Sequence, residues 1–303
     1  MRQSYYILDV FTEKPFGGNQ LAVVMDADRL ETGTMQAIAR ELNLPETAFV
    51  QATDRPAHSA RLRIFTPSKE LPFAGHPTVG AAALLAGLRS PPGNGEHDAL
   101  IVLDQAIGTV RVGVRLRPGT AAFAEFDTPK LPAEAGMLPP VETLAAGLGL
   151  IPSEIGFENH RPTCFAAGNA FAFVPVATME AIAKAGINHP HWASAFDEQG
   201  LIGAYLYTRQ SVHTASSFHV RMFAPAVGVP EDPATGSAAV CFAGVVHKFD
   251  ALPDGMHRRT IEQGYEIGRP SAIYLTLDIE GAKLVNVRIG GHAVRVAEGT
   301  LDF

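Results

Sequence analysis

Two stretches of this chain repeat one pattern: Glu70-Leu71-Pro72-Phe73-Ala74-Gly75-His76-Pro77-Thr78 and Glu231-Asp232-Pro233-Ala234-Thr235-Gly236-Ser237-Ala238-Ala239. Upstream of each, a second match keeps the same order, Gly18-Asn19-Gln20-Leu21-Ala22-Val23-Val24 against Gly168-Asn169-Ala170-Phe171-Ala172-Phe173-Val174. Two ordered matches imply a duplicated module, and their unequal intervals imply insertions of different length. A duplication of this kind restricts the fold to two similar halves.

Each half reads as strands leading into a glycine turn and an apolar helix. YYILDVF and QLAVVM have strand composition, with Pro15, Gly17, Gly18 and Asn19 between them. Met35, Ile38, Ala39 and Leu42 recur at helical spacing until Asn43 and Pro45 interrupt them. TAFVQA and ARLRIF alternate as strands, and TVGAAALLAGL after Pro77 predicts a buried helix. IVLDQAIGTVRVGVRLR and AAFAEFD then predict meandering strands. In the second half TCFAAGNAFAFVPV, GAYLYT, FHVRMFAP, IYLTLDI, KLVNVRI and HAVRVAEGTL read as strands, while TMEAIAKAG and HPHWASAFDEQG read as helical. A further apolar helix follows EDPATG. The proline-rich TPKLPAEAGMLPPV marks the boundary, giving modules 1–128 and 129–290. The expected class is α+β.

Of the 303 residues, 47% are hydrophobic and 18% charged, enough apolar content for a sizeable core. Net charge is −7 and no basic run occurs, which argues against a nucleic-acid partner. No stretch stays apolar long enough to span a membrane and no signal sequence is recognisable, so a cytoplasmic protein without a membrane partner is expected. Cys164 and Cys241 are too few for a disulfide framework or a cysteine metal site. No metal is expected.

Both motifs place a glycine and a small or polar residue in the first turn of a helix, where backbone N–H groups lack intrahelical acceptors. Two readings stand. Gly75 and Gly236 could help hold a substrate carboxylate or enolate at the positive helix ends; alternatively they only permit tight turns, with His76 and Ser237 as caps. Carboxylates near these elements are Glu46, Glu70, Glu231 and Asp232. Glu46, between a helix end and a strand, could have its pKa raised by partial burial, or be an exposed loop residue. His76 could be an acid, a donor or a cap, and Asp232 could orient His76 or end a strand. The matched Glu70 and Glu231 point to a shared structural role, such as bonding loop amides.

With DVFTEKPFGGNQLAVV, NLPETAFV, RIFTPSKELPFAGHPTVGAA, EDPATGSAA and the GRPS at 268–271, the chain closely resembles the PhzF family of phenazine biosynthesis proteins. The resemblance implies the diaminopimelate epimerase fold: two pseudo-symmetric domains, each a β-barrel-like sheet around a central helix, with the site in the cleft between them. In that fold the last strand can return to the first domain, so about 291–303 is a candidate for module 1–128. It also implies a homodimer and no cofactor. Glu46 corresponds to the catalytic acid/base, His76, Asp232 and Ser237 to residues lining the site, and Gly75 and Gly236 to amides binding the substrate carboxylate. Asn19, in the matched Gly-Asn turn, joins the substrate-binding candidates. The family reaction isomerises trans-2,3-dihydro-3-hydroxyanthranilate, while this chain's own small carboxylated metabolite is left open. Related epimerases carry thiols where this chain has Ala74 and Thr235, so a two-thiol racemase is disfavoured. The leading expectation is Glu46-mediated proton transfer, with His76 and Asp232 as further catalytic residues that position the substrate and assist the proton movement; an epimerase or racemase of a small acid, or a non-catalytic metabolite-binding protein, is the alternative.

Overall fold

The computed structural model describes residues 2–89 and 95–303. The chain forms two compact units, Met1–Pro129 with Gly290–Phe303, and Lys130–Ile289. In chain order the first contains β1 (Arg2–Val10), β2 (Asn19–Val24), α1 (Thr32–Leu42), β3 (Glu46–Gln51), β4 (Ala60–Phe65), β5 (Glu70–Leu71), α2 (Gly75–Arg89), β6 (His97–Gln105), β7 (Gly108–Leu116) and β8 (Ala122–Asp127). The second contains β9 (Ala133–Glu134), α3 (Val141–Leu148), β10 (Thr163–Ala166), β11 (Ala170–Pro175), α4 (Met179–Lys184), α5 (His189–Ala195), β12 (Ala204–Thr208), β13 (Phe218–Ala224), β14 (Val229–Asp232), α6 (Gly236–Phe249), β15 (Gly255–Gln263) and β16 (Ser271–Glu280). The final strand, β17 (Lys283–Asp302), begins in the second unit and ends in the first.

Strand pairing in the first unit closes on itself. β1, β2, β3, β4, β6, β7, β8 and β17 pair in succession, and β17 returns to β1, making an eight-stranded barrel. Helix α2 is buried on all sides from Gly75 to Ala86 and packs against β1, β2, β3, β6, β7 and β8. Its small side chains make this possible: a Cβ on Gly80 would lie 2.6 Å from Leu21 Cδ2 and 2.7 Å from Val10 Cγ2. Along β7, Val110, Val112 and Val114 turn inward and Arg111 and Arg115 outward, the period-two pattern of a sheet with one covered face.

The second unit repeats the connectivity. The antiparallel β1/β2, parallel β2/β3, antiparallel β3/β4, antiparallel β4/β5, parallel β4/β6 and antiparallel β6/β7 pairs recur as β10/β11, β11/β12, β12/β13, β13/β14, β13/β15 and β15/β16. Aromatic side chains surround its central helix. Phe242 of α6 packs against Tyr207 and Phe218 at centroid distances of 4.8 and 4.9 Å, and against Phe173 at 6.0 Å.

Three features depart from the sequence expectation. Helix α3 lies beside the proline-rich boundary, where no helix was read, and β15 carries too many charged residues to signal a strand by composition. KLVNVRI and HAVRVAEGTL form a single strand, because Gly290 and Gly291 keep the chain extended while Phe123 and Phe11 press on them. A Cβ at Gly291 would lie 2.2 Å from Phe11 Cδ1. Among the described residues no helix is long and apolar enough to cross a membrane.

Candidate active site

Parallel pairing of β2 with β3 sets Leu21 opposite Glu46, so Asn19 and Gln20 at the start of β2 lie beside Glu46 at the start of β3. The turn before Asn19 depends on Gly18, whose φ is +63° and whose Cβ would come within 2.3 Å of the Val10 carbonyl oxygen. Asp9 secures the same loop by accepting the Phe16 N–H at 2.6 Å. The close seat of α2 on β1 and β2 brings His76 to this point, with Nε2 3.2 Å from Glu46 Oε2. The side chains of His76 and Glu46 are 6% and 17% exposed. Glu46 is thus a half-buried strand residue rather than an exposed loop carboxylate.

Burial pushes the His76 pKa down to about 3, opposed by a ring N–H donated to the Gln20 carbonyl. The imidazole is therefore neutral near pH 7. With one ring nitrogen donating to Gln20, Nε2 faces Glu46 with a lone pair. Nε2 is buried without a hydrogen-bond partner among the described residues, so it is available to accept from a protonated carboxyl group.

In the second unit the residue at the position of Glu46 is Gly203, given that Ala172 pairs with Ala204. A Cβ there would sit 2.1 Å from the Phe223 carbonyl oxygen, which excludes any side chain. The modules are alike in fold and unlike at this position. Asp232, the last residue of β14, accepts a 2.6 Å hydrogen bond from Thr235 Oγ1. The helices begin at Gly75 and Gly236, so His76 and Ser237 lie inside the first turns rather than at cap positions. Thr235, the N-cap of α6, makes no side-chain cap hydrogen bond.

Glu70 and Glu231 do share a role, but with arginine rather than loop amides. Arg63 grips Glu70 through Nε and Nη2, both at 2.7 Å, and Arg221 grips Glu231 at 2.8 and 2.7 Å. Each arginine also lies over the phenylalanine two residues on, Phe65 at 5.2 Å and Phe223 at 4.8 Å. These clamps hold the short strands β5 and β14 that lead into the motifs. Sequence reading missed both arginines, although the repeated Arg-x-Phe at 63–65 and 221–223 carries the signal.

Behind Arg221 stands a buried charged group. His219 Nδ1 is 2.9 Å from Glu262 Oε1 and its Nε2 is 2.8 Å from Glu266 Oε1. Burial disfavours the imidazolium, but the two glutamates outweigh burial and push the pKa up to about 9. His219 therefore adds stability that is complete below the unfolded value of about 6.5 and disappears as pH rises through 9. His76 has the opposite sign: its folded pKa is depressed, so unfolding takes up a proton and stability falls below pH about 6.5. Urea midpoints measured from pH 4 to 9.5 should fall on both sides, with His76→Asn reducing the acid slope and His219→Gln the alkaline one.

The cysteines are not available as thiolates. Both are buried, and burial raises Cys164 and pushes Cys241 up to about 12. Among the described residues no group of three His, Cys, Asp or Glu side chains is arranged to hold a metal ion. A cavity of about 240 Å3 lies further along α2 from His76, lined by Leu8, Ala83, Leu84 and Leu88 with Arg295 as its one charged group. Its apolar lining offers no proton-transfer group.

Comparison with known proteins gives a consistent placement. The family model described as phenazine biosynthesis-like protein, PhzC-PhzF, matches residues 8–299. An uncharacterised isomerase of Mesorhizobium japonicum is 49% identical over 302 residues, covering 99% of this chain and 98% of that protein. The trans-2,3-dihydro-3-hydroxyanthranilate isomerase of Pseudomonas aeruginosa is 35% identical over 295 residues, covering 97% and 98%. The crystal structure of a Bacillus anthracis phenazine biosynthesis protein of the PhzF family superposes with a TM-score of 0.89 over 100% of both chains, at 24% identity, a likeness of fold alone. That fold is the α+β, diaminopimelate epimerase-like one.

Proposed function

The chain belongs to the phenazine biosynthesis-like PhzC-PhzF family, and on that premise we propose that it is a cofactor-independent isomerase in which Glu46 moves a proton between two carbons of a small carboxylated metabolite. The observation that carries this reading is the buried pair of Glu46 and His76 at 3.2 Å. As a carboxylate, Glu46 takes a proton from carbon, and the C–H electron pair passes into a dienolate conjugated with the substrate carboxylate. Glu46 then returns the proton to a different carbon, shifting the double bond with no net change in composition.

His76 makes the return possible. Its lone pair accepts a hydrogen bond from protonated Glu46, while a pKa near 3 keeps the proton from passing to the imidazole. The proton stays on the carboxyl group, ready for redelivery. The first-turn amides at Gly75 and Gly236, with Asn19 and Ser237, are proposed to bind the substrate and stabilise developing negative charge, while Asp232 positions the substrate by accepting a hydrogen bond from it. A cytoplasmic homodimer is part of the same reading.

The test is product analysis by NMR on a panel of small unsaturated carboxylates that includes trans-2,3-dihydro-3-hydroxyanthranilate, the compound in the name of the Pseudomonas aeruginosa relative. Double-bond migration is the expected outcome. Inversion at one carbon with the double bond in place would assign an epimerase instead.

A further inference from the structure

The second motif contains a hydrogen-bond chain whose direction is fixed by the groups at its far end. Gln263, fully buried as the last residue of β15, accepts the Thr235 backbone N–H through Oε1 at 3.1 Å and donates through Nε2 to the Asp232 carbonyl oxygen at 2.6 Å. A backbone N–H can only donate and a carbonyl can only accept, so the amide has one possible orientation. Nε2 also donates to Thr235 Oγ1 at 3.0 Å. With its oxygen occupied as acceptor, the Thr235 hydroxyl directs its own proton to Asp232 Oδ2 at 2.6 Å. The chain therefore runs from Gln263 through Thr235 and terminates on Asp232 as an acceptor. Gly264 locks the base of this arrangement, since a Cβ there would lie 2.7 Å from the Pro233 carbonyl oxygen.

The first module builds the same junction without this chain. The residues corresponding to Asp232 and Thr235 are Leu71 and Ala74, neither of which can take part. Gln105, the last residue of β6 as Gln263 is of β15, instead donates to Thr78 Oγ1 at 2.9 Å, and Thr78 donates to the Ala74 carbonyl oxygen at 2.8 Å. Both modules keep the glutamine and the arginine–glutamate clamp. Within the motif itself, only the second module adds a hydroxyl aimed at a carboxylate.

We propose that Thr235 and Gln263 are positioning residues that hold Asp232 as a hydrogen-bond acceptor, and that the substrate presents an N–H or O–H donor to that carboxylate. The proposal rests on Asp232 being a substrate-contacting residue, as the isomerase reading assigns it. An acceptor held in place binds the donor equally in the ground and transition states, so its loss raises KM more than it lowers kcat.

Three variants test this: Thr235→Val, which keeps the branched shape without the hydroxyl; Thr235→Ser, which keeps the hydroxyl; and Asp232→Asn, which turns one acceptor into a donor. Crystal structures and steady-state kinetics with trans-2,3-dihydro-3-hydroxyanthranilate are compared with wild type. Thr235→Val should show the Asp232 carboxylate rotated from its wild-type position and KM raised roughly 10- to 100-fold with kcat nearly unchanged. Thr235→Ser should restore both, and Asp232→Asn should raise KM as Thr235→Val does. An unmoved carboxylate in Thr235→Val, or no restoration by serine, overturns the proposal. Wild-type inactivity on this probe tells against the substrate assignment, while the carboxylate position still decides the role of Thr235.

Discussion

Glu46→Gln should keep the wild-type melting temperature and lose turnover by about 10³-fold, the middle of the range for removal of a positioned acid or base. The substitution is nearly isosteric at a side chain only 17% exposed. An amide nitrogen can still donate toward His76 Nε2, so the buried contact survives while proton transfer does not. Steady-state kinetics beside calorimetry separates the two effects. A variant that is inactive because it is unfolded, or folded and fully active, is inconsistent with the assignment. His76→Asn provides the complement: the shorter amide no longer reaches the position of Nε2 beside Glu46, so turnover should fall while the carboxylate remains.

The largest stability effect is expected at Arg221. Its Nη1 donates to the carbonyls of Ile182, Ala183 and Ala185, at 3.0, 2.9 and 2.6 Å, at the end of α4, while the rest of the guanidinium holds Glu231. Arg221→Ala leaves the Glu231 carboxylate, 12% exposed, without its counter-charge, and three carbonyls without this donor. Breaking a buried pair from one side costs about 3–5 kcal/mol. The matching Arg63→Ala should cost about 1 kcal/mol, because Glu70 is 35% exposed and water can replace the arginine. Trp192, the one tryptophan and 3% exposed within the second unit, provides a local probe. Urea unfolding followed by its fluorescence should show a large shift for Arg221→Ala and little for Arg63→Ala. Equal shifts would mean that the two clamps are energetically alike despite their different burial.

The duplication was legible because glycine is constrained by backbone geometry. Gly18, Gly75 and Gly236 sit at turns and helix starts that recur at matched places, and the apolar helices after them follow from composition. The clamps were harder to see. Arg63 meets Glu70, and Arg221 meets Glu231, only through antiparallel pairing of β4 with β5 and of β13 with β14, which linear spacing does not display. Gln105 and Gln263 were equally hidden, although each follows an acidic residue at the end of the strand after its central helix. Glu46 drew notice by its place between a helix end and a strand, but only the family resemblance gave it a role over the exposed-loop reading. Its meeting with His76 depends on parallel strand register and on the depth at which Gly80 lets α2 sit.

That meeting supports the central claim, that Glu46 breaks a carbon–hydrogen bond. The most direct test follows deuterium placed at the carbon from which the proton is taken, in the substrate identified by the product panel. Wild-type enzyme in ordinary water should clear the label from that carbon as product forms, and substrate recovered from Glu46→Gln should retain it. Clearance of the label by Glu46→Gln at the wild-type rate would show that another group breaks the bond.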